Sequence, residues 1–355
     1  MRILLAINSL KGCLTSMEAN MAAAEGIKGL VYGDFVKQVP VSDGGEGFLD
    51  AYRAAVGGEV VQLTVRDPMM RPVTAKYLMV DHTAVIETAQ ASGMSLLSTA
   101  ERNPLKATSY GTGQLIADAV RRGATEVIAG LGGSATSDAG IGMLQALIDA
   151  FAPGGRWDDI ESLSQVRFTI ACDVSNPLYG DQGAARVFAP QKGATPAMVE
   201  LLDQRARKFA EVSASHFGRD CSRLPGAGAA GGIGYSFLQY LHADYCSGSQ
   251  FLLDAIHFRE LAYGVNLIIT GEGRADHQTL MGKLPMGVLS RRSIAPVALI
   301  AGSISDKDMF RRAGFAHVEC INPPDLPLAE ALNKDVARRN IAKTVAGIIC
   351  ELIDQ

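Results

Sequence analysis

Four stretches of this chain share one pattern: "TEVIAGLGGSATSDAG", "RFTIACDVSNPL", "VNLIITGEGRAD" and "PVALIAGSISD". Each is a short apolar run that ends in Gly, Ser, Asp or Asn. A continuous apolar run suits a strand buried on both faces, and a parallel sheet covered by helices provides that environment. "RILLAIN" is a further such run. The segment after it, "TSMEANMAAAEGIKGL", predicts a helix with Thr15 as N-cap and Glu18 completing a capping box. "FVKQVPVSDGGEGFLDAYRAAV" repeats strand, acidic Gly-rich turn and helix, and "TGQLIADAVRRGA" is an amphipathic helix. Strands alternating with helices predict α/β architecture. From Val60 to Glu87 the pattern becomes an alternation with a turn at Arg66-Asp67-Pro68, which predicts antiparallel strands opening a second domain.

The length of 355 residues exceeds what one core ordinarily uses. Both chain ends read as plain βα units. The expected division is therefore a first α/β domain from residues 1–64 plus 289–355, and an inserted α/β domain from 65–288 that carries Gly-rich phosphate loops. Net charge is −4, which argues against a nucleic-acid or anionic-membrane surface. No window reaches the ~18 apolar residues of a spanning helix. The N-terminal apolar run is too short for a signal peptide. The six cysteines are far apart and form no C-x-x-C pair, so neither zinc nor a disulfide framework is expected, and a reduced cytoplasmic compartment is.

No G-x-x-x-x-G-K-[ST] occurs; Gly282-Lys283 is followed by Leu284. "GAGAAG" (Gly226 to Gly231) matches G-x-G-x-x-G, but "SRLP" precedes it rather than a strand, so the dinucleotide reading fails. An anion-binding helix N-terminus is favoured over a closely packed loop. "GLGGSATSDAG" does follow a strand, and its hydroxyls and N–H groups suit phosphate. Acids recur in such turns: Asp43 and Glu46, Asp138, Asp173, then Glu272 and Asp276. Any one of them reads as a turn or cap residue. Together, beside Gly-rich loops, they are what Mg²⁺ and phosphoryl transfer require. Lys11, Lys192 and Lys283 also adjoin glycines and can neutralise phosphate or carboxylate. The histidines show no ligand spacing.

In this order, "NSLKGCLTS", "VPVSDGGEGFLDA", "NPLKATSYGTGQLI", "GLGGSATSDAGIGML", "ACDVSNPLYGDQGAARVFAPQKGA", "PGAGAAGGIG", "ITGEGRADHQTLMGKLPMGV" and "IAGSISD" resemble the bacterial glycerate kinase family of glycolate and glucarate degradation. The resemblance implies two α/β domains, one flavodoxin-like with a parallel sheet and one with a mixed sheet, and an active site in the cleft between them. It implies transfer of the γ-phosphoryl of ATP, with Mg²⁺, to D-glycerate, giving 2-phosphoglycerate. The expected catalytic residues are Asp138, Asp276, Lys11 and Lys283. Ser9, Asp43, Glu46, Asp173, Gln191 and Lys192 are expected at the substrate, with Asp173 and Asp43 also the metal candidates. Gly132, Gly133, Ser134, Thr136, Gly226, Gly228, Gly231, Gly271 and Gly273 are expected at the phosphates. A homodimer is compatible with the family. The chain departs from the family pattern at Asn8, where Asp is usual, at "SATSDAG" and at Met281. Two rivals follow: a kinase for a related sugar acid, and a catalytically weakened paralogue that binds ligand.

Overall fold

A computed structural model describes residues 1–30 and 35–353. Its strands are β1 (Arg2–Ile7), β2 (Phe35–Gln38), β3 (Glu59–Arg66), β4 (Pro72–Val80), β5 (Thr83–Glu87), β6 (Glu126–Gly130), β7 (Arg167–Ala171), β8 (Asp244–Cys246), β9 (Leu267–Ala275), β10 (Val297–Ile304) and β11 (His317–Cys320). They form two sheets. One runs β11-β10-β9-β1-β2, and the other β3-β4-β5-β6-β7-β8.

Every pairing in the five-stranded sheet is parallel. Counted within its own unit, the order from the other edge is second, first, third, fourth, fifth. That is the flavodoxin-like order, whose ligand crevice lies beyond the carboxyl ends of the first and third strands. Those strands here are β1 and β9. Ile3, Leu4 and Leu5 of β1 and Leu267, Ile268 and Ile269 of β9 are fully buried, as a strand covered on both faces demands. The helix Ser16–Ile27 packs on this sheet and begins with the expected capping box: Glu18 N donates to Thr15 Oγ1 at 3.2 Å and Thr15 N to Glu18 Oε2 at 2.9 Å. Two buried polar side chains fix the end of β1. Asn20 accepts from Ile7 N and donates to Val39 O, while Ser16 Oγ donates to Ile7 O and accepts from Val41 N.

The six-stranded sheet is mixed. β3, β4 and β5 are antiparallel, as the alternation predicts, and β5 to β8 are parallel. The Arg66-Asp67-Pro68 turn is held by Asp67, whose Oδ1 accepts from Met69 N and Arg71 N.

The chain divides into two compact units: 1–43, 50–55 and 249–355 in the first, 44–49 and 56–248 in the second. In sequence, the second unit's segments lie between those of the first. β3 begins at Glu59 and belongs wholly to the second unit, since every one of its residues pairs with β4. Residues 249–288 belong to the first unit, because β9 pairs with β1 on one side and β10 on the other. A buried apolar run states that it needs two neighbours and does not say which, so sequence alone could not assign β9 to a sheet. No helix among the described residues is long and apolar enough to cross a membrane.

Candidate active site

In the first unit the candidate residues collect at the β1/β9 crevice. Beyond β1, Asn8 N donates to Gly271 O at 2.9 Å, which ties the next turn to β9. Asn8 is 3% exposed, and its Oδ1 accepts from Ser9 N at 2.8 Å. Position 8 is therefore a turn cap, a task Asn performs as well as Asp. Ser9 is buried beside it. Lys11 extends outward and pairs with Asp43 at 3.3 Å. Gly273, on β9, packs beside the same turn: a Cβ there would touch Leu10 Cα and Lys11 N, both at 3.8 Å, an ordinary van der Waals contact. Gly271 differs, because its missing Cβ lets Ile300 O approach to 2.3 Å of that position. This glycine serves strand packing.

β9 then delivers a residue that the sequence reading noticed only as one acid among several. Glu272 is 9% exposed, and its Oε1 accepts from Thr279 Oγ1 at 2.6 Å. Thr279 is fully buried, and its hydroxyl in turn accepts from Asp276 N at 3.1 Å. Burial pushes the Glu272 carboxyl up to about 7. The Thr279 hydrogen bond and the Lys283 charge oppose that shift, and the Asp43 and Asp276 charges add to it. The signal available in sequence was its position: a Glu between two glycines at the end of a strand. Asp276 is the N-cap of the short helix His277–Leu280, accepting from Gln278 N at 2.9 Å, and it pairs with Arg274 at 3.4 Å. Lys283 stands at the N-cap position of the helix Leu284–Arg291 without a capping bond, and its Nζ donates to Gln278 Oε1 at 3.2 Å.

In the second unit the "GLGGSATSDAG" loop leaves β6 as expected, but its hydroxyls turn inward. Ser134 and Thr136 are 3% and 0% exposed, and both donate to Ala230 O. These bonds brace the loop, because a loop lying against "GAGAAG" leaves backbone carbonyls that need donors. The glycines of "GAGAAG" have the same use. A Cβ on Gly231 would lie 1.9 Å from Thr136 O, one on Gly228 2.4 Å from Pro177 O, and one on Gly226 2.8 Å from the Tyr245 ring. Close packing of the loop accounts for these three. The helix that follows is Ile233–Tyr240.

Asp138 is similarly engaged. Its Oδ2 accepts from Ser109 N and Oγ at 2.8 Å and from Gly142 N at 3.2 Å, and its Oδ1 from Gly140 N at 3.2 Å. It ties the start of the helix Ile141–Phe151 to the start of the helix Tyr110–Arg121. Lys192 is 3% exposed and donates to Thr136 O at 2.6 Å. Desolvation lowers its ammonium to about 8, against the opposing pull of Asp138. Gln191 beside it is exposed. Asp173, just past β7, accepts from Ser247 Oγ at 2.6 Å. Glu46 is exposed, in a turn whose Gly45 Cα lies 2.4 Å from where a Cβ on Gly132 would be. Gly133 is exposed with φ +67°. A pocket of about 280 Å³ in this unit is lined by Leu105, Lys106, Ser137, Asp138, Ile141 and Arg205 among others. A shallower depression of about 650 Å³ lies at the opposite end of the first sheet, against Arg2, Phe35 and Asn266, and holds none of the candidate residues.

A family model described as "Glycerate kinase family" matches residues 3–152 and 157–353. The chain belongs to the glycerate kinase family. The glycerate kinase of Bacillus subtilis (strain 168) is 41% identical over 354 residues, covering 93% of each chain. The glycerate 2-kinase of Escherichia coli (strain K12) is 40% identical over 328 residues, covering 86% of each. A crystal structure from Salmonella typhimurium LT2, provisionally named glycerate kinase 2, superposes with a TM-score of 0.75 at 35% identity and covers 100% of this chain and 98% of that one. Membership makes the chain a kinase, a phosphotransferase with an alcohol group as acceptor.

Proposed function

We propose that this enzyme transfers the γ-phosphoryl group of ATP to the 2-hydroxyl of D-glycerate, giving 2-phosphoglycerate. The observation that carries the reading is the gathering of Lys11, Asp43, Glu272, Asp276 and Lys283 at the β1/β9 crevice of a glycerate kinase family member. Phosphoryl transfer asks the protein for position and charge neutralisation rather than a covalent nucleophile. Lys11 and Lys283 supply positive charge for a carboxylate or phosphate. The exposed backbone at Gly133 leaves room for a phosphate oxygen to approach. The B. subtilis and E. coli relatives, named for glycerate, support the substrate, and the E. coli name supports the 2-product. The turn-capping role of Asn8 and the 70% exposure of Met281 give no sign of a pocket rebuilt for another acid.

Among the described residues no three His, Cys, Asp or Glu side chains form a metal-holding group. Mg²⁺ in kinases needs only one or two carboxylates besides phosphate oxygens and water. The residues fit that lighter demand. Asp173, past the carboxyl end of β7, would hold the ion, while Asp43 is engaged by Lys11. Bound there, Mg²⁺ would neutralise charge on the phosphates. Among the described residues the six cysteines form no disulfide, which suits a reducing cytoplasm.

A coupled ADP-release assay over three- to six-carbon hydroxy acids, with and without EDTA, tests the reading, and ³¹P NMR identifies the phosphorylated carbon. Turnover of D-glycerate that EDTA abolishes supports it. Preference for a longer sugar acid, or binding without turnover, overturns it.

A further inference from the structure

We infer that Glu272 is the proton acceptor for the substrate hydroxyl. This rests on the kinase reading above and deepens it. The carboxyl lies on β9 at the β1/β9 switch point, where an open sheet of this order binds its ligand. One oxygen is fixed: Oε1 accepts the Thr279 hydroxyl, which is itself oriented by Asp276 N. Among the described residues Oε2 accepts no hydrogen bond. The side chain is buried yet not sealed, at 9% exposure. The charged groups facing it come from each neighbouring element: Asp43 after β2, Asp276 at the start of one helix and Lys283 at the start of the next. Lys11 pairs with Asp43 rather than with Glu272.

The other acids are committed elsewhere. Asp138 accepts four hydrogen bonds from helix starts, and Asp276 caps a helix and pairs with Arg274. In the inferred step the hydroxyl oxygen bonds to the γ-phosphorus, and the bond from that phosphorus to the β,γ-bridging oxygen breaks. The electron pair stays on ADP, and the hydroxyl proton passes to Glu272. A base works best with a pKa near the operating pH, and burial has moved this carboxyl there.

The test uses whichever hydroxy acid the parent enzyme phosphorylates, so a wrong substrate and a wrong base remain distinguishable. Glu272→Gln should lower kcat about 100-fold or more while affinity for that hydroxy acid by calorimetry stays within about threefold. The parent kcat/KM should fall below pH 7 on a one-proton limb that the variant lacks, and Glu272→Asp should recover part of the rate. Glu272→Gln should also melt at or above the parent at pH 8. A carboxyl raised from 4.5 to about 7 on folding costs stability progressively as pH rises through that window, and the amide does not. Thr279→Val removes a hydrogen bond that holds the carboxyl down, so the limb should move to higher pH. Turnover of Glu272→Gln within a few-fold of the parent, or a limb that neither variant changes, overturns the inference.

Discussion

Lys192 Nζ donates to the carbonyl oxygen of Thr136 at 2.6 Å, with the ammonium buried to 3% exposure. The lysine braces the loop that follows β6. Its four-carbon stem reaches the loop interior, and the nearby Asp138 charge offsets part of the desolvation.

Lys192→Met should fold, because an apolar residue of similar length fills the same space, but the loop loses its brace. Turnover should fall about tenfold, since small misplacements of catalytic loops are costly. The pH dependence has a definite sign. A lysine whose folded pKa is about 8, against 10.5 when unfolded, binds fewer protons folded than unfolded between those values. The parent should therefore gain stability relative to Lys192→Met as pH rises from about 8 to 10.5. Urea unfolding across that range reads the difference.

Asp138→Asn keeps the shape but replaces an acceptor with a donor. Both carboxylate oxygens face N–H or O–H groups, so neither amide orientation satisfies them all. Stability should fall by about 2–4 kcal/mol, the cost of one or two unsatisfied buried donors. Loss of turnover with an unchanged unfolding midpoint would instead identify Asp138 as a reacting group.

The two glycine clusters should respond differently to alanine. Gly231 has φ +68° and a Cβ site 1.9 Å from Thr136 O, so Gly231→Ala should be poorly soluble or strongly destabilised. Gly273→Ala meets nothing closer than 3.8 Å and should melt with the parent. A rise in KM for ATP or glycerate at normal stability would show that ligand occupies the space beside Leu10 and Lys11; unchanged kinetics would remove Gly273 from the site.

Asn8→Asp preserves the acceptor for Ser9 N. Activity should stay within a few-fold of the parent, measured as kcat/KM for glycerate. A large loss would show that an added charge at the β1 end is not tolerated and would favour the altered-substrate rival.

Periodicity and punctuation in the sequence determined the elements. The buried runs, the capping box at Thr15 and Glu18 and the antiparallel stretch that begins near Val60 are local or nearly local properties, written in side-chain spacing and turn chemistry. The family motifs also lie on the page as residues, and with them the kinase class. The partners of each polar group were decided only by the tertiary structure. Whether a hydroxyl faces ligand or carbonyl depends on what packs against it: Ser134 and Thr136 meet Ala230, 94 or more residues away in sequence. The sheet that claims β9 is likewise a long-range choice, and it places Glu272 at the switch point. The Glu272 carboxyl acquires its affinity for protons from burial, and burial is a property of the packed chain, not of the residue.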